Sequence, residues 1–175
     1  FVYFGKEITD IIQDLLKLKF HTQNAKLGIF LIIATIPAGL IGILFKDIFE
    51  STFENLTIVA LGFAITGLVL IITSLNLNIK ENNLNIKNAV IIGFAQILSI
   101  LPGVSRSGTT ISTGILLGLK EKTALKFSFL MSIPIIFGAN IITIGNQTLP
   151  QELIWATLVS FIIGILSLHI IFKYI

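Results

Sequence analysis

Long uncharged runs alternate with short charged ones along this chain. Leu27 to Phe45, Asn55 to Ile79, Phe127 to Gln151 and Leu153 to Phe172 contain no Asp, Glu, Lys or Arg. A helix needs roughly 20 apolar residues to cross hydrocarbon, so the runs predict four spans, 27–45, 55–79, 127–151 and 153–172. Trp155 and Tyr174 lie near the ends of the last, where amphipathic rings suit the bilayer surface. Pro37 and Pro134 fall inside spans and are read as kinks tolerated by packing. Residues 6–26 are different: Ile8, Ile11, Ile12, Leu15, Leu16 and Leu18 recur at helical spacing with charges between them. That stretch predicts an amphipathic helix on the membrane surface, with a water-exposed connecting helix as the alternative.

A fifth run does not fit the span template. Residues 88–119 number 32, with Arg106 their one charge. Two spans and a turn need about 40 residues, and a single span is shorter than 32. The middle reads PGVSRSG, with one Pro, two Gly and two Ser in seven positions, which breaks a helix. The reading is a re-entrant hairpin of two half-helices, 88–101 and 108–119. Each is about 20 Å long at 1.5 Å per residue, with the break near mid-membrane.

Charge supports that topology. A hairpin that leaves on the side it entered puts Lys6, Lys17, Lys19, Lys26, Lys80, Lys87, Lys120, Lys122, Lys126 and Lys173 on the cytoplasmic side. The outer loops keep only Lys46, beside Asp47, Glu50, Glu54 and Glu152. This obeys the positive-inside rule, and a full span at 88–119 would weaken it. With 54% hydrophobic and 12% charged residues, against about 25% charged in soluble domains, the bilayer is the natural solvent. The fold class is all-α and polytopic, one membrane domain over 1–175, half of an inverted-repeat architecture. The lysines sit at the ends of apolar runs, so the net charge of +3 does not point to nucleic acid. The chain has no cysteine, which removes disulfides and thiolate metal sites. It opens on Phe1 within FVYFG, and is read as a fragment lacking its true N-terminus.

A charge at mid-membrane costs at least about 2.5–3.5 kcal/mol, and irregular backbone there needs protein or a water-filled cavity around it. An anion would compensate both. A half-helix beginning near Ser107 would leave the amides of Gly108, Thr109 and Thr110 free at a positive helix end. Ser105, Ser107, Thr109 and Thr110 add hydroxyls, and Arg106 adds a planar fork matched to phosphate oxygens. The segment thus reads as a phosphate or diphosphate cradle. The plainer alternative has Arg106 paired with a carboxylate or carbonyls and the serines acting as caps. Gln96, ten residues earlier, either hydrogen-bonds across helices or lines the site. Asn140, with Ser128 and Ser132 nearby, is assigned to packing. His21 lies in a surface loop, His169 is read as a hydrogen-bonded structural residue, and two isolated histidines make no metal site. Residues 88–119 contain no Asp, Glu, His or Lys, so the segment binds and stabilises charge without an evident base.

GFAQILSILPGVSRSGTTISTGILLGL, followed by FSFLMSIPIIFGA, resembles the second signature region of the undecaprenyl-diphosphate phosphatase, or bacitracin-resistance, family. PGVSRSG-x-T, the preceding Gln96 and the FSFL-x-x-IP run agree in order and spacing, and a fainter likeness covers nearly the whole chain. The resemblance implies a multi-pass bacterial inner-membrane enzyme with inverted repeats and two re-entrant segments. Such an enzyme hydrolyses the C55 polyprenyl diphosphate to the monophosphate, recycling the carrier for cell-wall synthesis and conferring bacitracin resistance. It implies that Arg106 is the diphosphate-binding arginine and that Ser105, Ser107 and Thr110 are its hydroxyl ligands; with the cradle reading, Arg106 and Ser105 are expected to be catalytic, and Gln96, Ser105, Arg106, Ser107, Gly108, Thr109 and Thr110 to contact the diphosphate. It also implies a divalent cation, Mg or Ca, with ligands mostly outside this chain. The family's N-terminal Glu-rich motif and a short C-terminal span are absent, so hydrolysis by this chain alone is not expected. The expected partners are the lipid and the bilayer, with a homodimer allowed. The rival readings are a lipid-phosphate carrier or flippase using the same anion site, and a structural membrane subunit.

Overall fold

The computed structural model describes residues 3–75, 82–143 and 152–174, and its regular structure is helical throughout. Among the described residues four helices are long and apolar enough to cross a membrane: α2 (Gln23–Leu44), α4 (Leu56–Leu75), α7 (Glu121–Thr143) and α8 (Glu152–Tyr174). Residues 76–79, Lys80 and residues 144–151, which the expected spans and loops included, lie outside the described residues. Leu153–Tyr174 buries none of its most apolar window. Lipid permits this, because hydrocarbon tails solvate leucine as well as a protein core does.

The expected surface helix over 6–26 is two elements. α1 (Gly5–Leu16) stops before Leu18, which turns into the left-handed region at φ 54°. Thr22 then caps α2, its side chain accepting from the Ala25 amide at 3.1 Å, so the span begins four residues earlier than the uncharged run. One face of α1 packs on α2 so closely that a Cβ on Gly28 would stand 2.7 Å from Ile11 Cγ2. Ile12 and Leu16 remain exposed on the other face. α3 (Lys46–Thr52) is a short helix after α2. α7 starts at Glu121 rather than Phe127, admitting Lys122 and Lys126 to its first turns; Lys126 Nζ donates to Glu7 Oε1 at 2.6 Å. α2 and α7 both continue through their prolines. α8 meets the bundle near its end, where Phe172 packs against Tyr3, Phe4 and Phe129. His169 is exposed there.

Between α4 and α7 the chain forms a helix–break–helix hairpin. α5 (Ile86–Ala95) tightens into a 3₁₀ turn over Gln96–Ile100, and α6 (Arg106–Leu116) follows the break. Asn85 caps α5 through the Asn88 amide at 3.1 Å. α6 ends where Gly118 adopts φ 87°. There Gly118 N bonds Ile115 O at 2.8 Å and Leu119 N bonds Gly114 O at 3.0 Å, the paired bonds of a Schellman cap. Asn82 joins the two ends of the hairpin, its N–H donating to Gly118 O at 2.7 Å and its Nδ2 to Leu117 O at 3.0 Å. The hairpin therefore enters and leaves at one end of the bundle. Its first limb crosses α2 with almost no spacer: a Cβ on Gly93 would lie 2.6 Å from Ala34 O.

The tip meets α2 and α4 part-way along their lengths. Ile100 packs near Gly42, two residues from the end of α2, and Gly103 lies against Val59, three residues into α4. Gly103 and Ser105 also meet Thr66, ten residues into the twenty of α4. The first limb is longer than expected because ten α-helical and five 3₁₀ residues rise about 25 Å together.

Candidate functional site

The break is built from backbone hydrogen bonds and close glycine contacts. Gly103 adopts φ 86°, which a side chain would strain. A Cβ on Gly103 would also overlap Val59 O, and one on Gly62 would overlap Pro102 O, so the two glycines let α4 lie directly on the loop. The chain then reaches Ser105, the N-cap of α6. Ser105 Oγ accepts from Gly108 N at 3.1 Å, and Ser105 O accepts from Thr109 N at 2.9 Å.

This geometry corrects the expected cradle. The half-helix starts at Arg106, one residue before Ser107, and the amides of Gly108 and Thr109 are already bonded to Ser105. Thr109 and Thr110 are buried, and their hydroxyls donate to Ser105 O and Arg106 O at 2.9 Å each. Thr110 Oγ1 also lies 2.7 Å from Ser128 Oγ, tying α6 to α7. Thr109 and Thr110 therefore hold the helix start from within the packed structure, while Gly108 is half-buried. Ser107, on the first turn, is half-buried, with its Oγ 3.5 Å from Ser105 Oγ.

Arg106 and Gln96 come together on the other side of the break. Both line a cavity of about 540 Å³ between α2, the 3₁₀ turn and α7. Its walls are mostly apolar or small, including Ala38, Gly39, Gly42, Ile100 and Gly138, and Lys46 stands at the α2 end. Gln96 is 1% exposed, and neither Nε2 nor Oε1 has a hydrogen-bond partner among the described residues. Arg106 Nη1 is likewise buried without one. A buried unpaired polar group costs about 1–3 kcal/mol, more when charged. Two side chains lining one cavity thus carry unmet donors, and the alternatives of a paired arginine and a cross-helix glutamine find no partner in the described structure. Asn140 donates to Ile136 O at 2.7 Å, within its own helix.

Lys46, Thr35, Ser99 and Pro134 also line the cavity, and nothing in the sequence pattern marks them as site residues. The same holds for Thr66 of α4, whose Oγ1 accepts the Ser105 N–H at 2.9 Å. Gly62 and Thr66 form a small-xxx-small pair, which allows close helix approach but does not say which segment approaches. Among the described residues no three of His, Cys, Asp and Glu gather to hold a cation. The resemblance places the ligands of its divalent ion mostly outside this chain.

Comparison with known proteins follows the same line. The family model described as bacitracin resistance protein BacA matches residues 1–175. A protein of Thermosipho melanesiensis named undecaprenyl-diphosphatase is 40% identical over 173 residues, 98% of this chain and 68% of its own length. Proteins of the same name from Methanococcus vannielii and Corynebacterium glutamicum are 36% and 35% identical, over 98% and 99% of this chain and 69% and 64% of theirs.

Proposed function

The chain belongs to the bacitracin resistance protein BacA family, and from that premise we propose that it hydrolyses undecaprenyl diphosphate to the monophosphate. The product is the lipid carrier of cell-wall synthesis, and recycling it confers bacitracin resistance. The observation that carries the site assignment is the pair of buried, unpartnered groups lining one cavity, Arg106 Nη1 and the Gln96 amide. A diphosphate supplies the acceptors these donors lack. The Arg106 guanidinium carries a fixed charge and opposes the charge that builds on phosphate oxygens as the anhydride bond breaks. Ser105 has its oxygen accepting from Gly108 N, leaving its proton to donate, so it acts as a ligand and as the cap that sets Arg106 in place. The apolar walls from Ala38 to Gly42 and at Gly138 take the first isoprenyl units of the lipid.

In this reading the cavity opens toward the outer face of the bacterial inner membrane. The hairpin tip lies near the ends of α2 and α4 that carry Lys46 and the acidic loop, away from the lysine-rich end. No Asp, Glu or His lines the cavity, so the proposal takes the base from outside its lining. A divalent cation and a homodimer complete the proposal; for the latter, α8 offers exposed faces along its length.

The missing base also favours a second reading, a lipid-phosphate carrier. The deciding assay is phosphate release from polyprenyl diphosphate by the intact protein in detergent, beside lipid transfer in vesicles. Arg106-dependent release supports the phosphatase. No release, with Arg106-dependent transfer, replaces it with the carrier.

A further inference from the structure

The backbone N–H of Ser105 precedes the first turn of α6, so no carbonyl of that helix accepts it. It lies in a break that lipid surrounds on the outside, where an unpaired donor is costly. Thr66 Oγ1 accepts it at 2.9 Å from α4. The Thr66 proton is shared between Gly62 O at 3.0 Å in its own helix and Gly103 O at 3.3 Å in the loop. Thr35 and Thr73 also donate to carbonyls of their own helices, at 2.7 and 2.8 Å. What sets Thr66 apart from them is its reach to a second segment at two points, on either side of Val104. A threonine that satisfied only its own helix would do neither.

These contacts form a relay that ends at Arg106. Thr66 holds the Ser105 amide; Ser105 Oγ holds Gly108 N and Ser105 O holds Thr109 N; Arg106 is the next residue and the first of α6. The approach of α4 is set by Gly62, which with Thr73 makes up its buried residues. The Thr66 methyl side lies on Gly108, where an added Cβ would be 3.5 Å from Thr66 Cγ2. α4 therefore acts as a strut whose polar contact is aimed at the cap of the arginine helix.

We infer that Thr66 is a positioning residue for Arg106: its hydroxyl fixes the backbone from which the guanidinium reaches the anion. The inference rests on the reading of Arg106 as the diphosphate-binding residue. The test is phosphate release by the intact protein carrying Thr66→Val, which keeps the shape and removes the hydroxyl, or Thr66→Ser, which keeps the hydroxyl. Misplacement of a binding group by about 1 Å can cost on the order of a hundredfold in rate. Thr66→Val is expected to lower kcat/KM about ten- to hundredfold, and Thr66→Ser to restore most of it. In an Arg106→Lys background, which retains charge but not the fork, Thr66→Val should add little, because the two act through one contact. Wild-type kinetics for Thr66→Val, a serine variant as impaired as the valine one, or fully additive losses in the double variant would each overturn the inference. Arg106→Ala run alongside separates the two failures: if it leaves release unchanged, the site reading falls first.

Discussion

Replacing Gln96 by methionine should make the empty protein more stable and the enzyme worse. The side chain is 1% exposed and both amide atoms lack partners among the described residues. Methionine is close to it in length and volume and has nothing to satisfy, so the substitution leaves no cavity and removes the unmet groups. Relief of one buried unsatisfied group is worth about 1–3 kcal/mol. For a chain of this size that raises the melting midpoint by roughly 2–4 °C per kcal/mol. The same amide, if it meets the diphosphate, makes a hydrogen bond to a charged group worth about 1.5–3 kcal/mol, a ten- to hundredfold rise in KM. Thermal unfolding in detergent, with and without pyrophosphate, reads the first effect, and phosphate release against lipid concentration reads the second. Opposite movement of stability and affinity marks a residue held for function rather than for folding. A Gln96→Met protein that melts lower than wild type with an unchanged KM would refute the reasoning, because it would mean that Gln96 is satisfied by the protein and serves packing.

The packing of the hairpin and the proposed chemistry give three more expected outcomes. Gly62→Ala should lower the melting midpoint and impair phosphate release, because its Cβ would overlap Pro102 O; wild-type melting and release would show that α4 does not rest on the loop. Single cysteines at Lys87 and Lys122 should react with an impermeant reagent from the same side, because Asn82 joins the hairpin ends; labelling from opposite sides would remove the re-entrant topology. Chelation of divalent cations should stop phosphate release by the intact protein, with added Mg or Ca restoring it, and release insensitive to chelation would remove the cation from the proposal.

Much of the architecture was legible because it depends on length and composition. Uncharged runs of about 20 residues have few alternatives to a spanning helix, and Pro102 with Gly103 marks the break in the fifth run. What escaped the sequence was the choice among similar residues. Ser105 and Ser107 are equally good caps by type, and only packing against α4 selects Ser105, which moves the helix start and takes up the Gly108 and Thr109 amides. The five-residue 3₁₀ turn lengthened the first limb. Thr66 was hidden for another reason: a lone hydroxyl in an apolar span bonds its own helix by default, and nothing in Leu56–Leu75 tells which hydroxyl also reaches another segment. Gln96 was visible as a polar residue, but its lack of a partner is a property of the packed structure.

The central claim is that Arg106 binds the diphosphate and stabilises charge as it is cleaved. It is tested most directly by the phosphate-release rate of the intact protein, at saturating lipid, for wild type, Arg106→Lys and Arg106→Ala. Removing one preorganised donor of this kind costs about 10²- to 10³-fold in kcat. A loss of that order is expected for Arg106→Ala, with Arg106→Lys between it and wild type because lysine keeps the charge and loses the fork. An Arg106→Ala protein that folds and releases phosphate at the wild-type rate would contradict it.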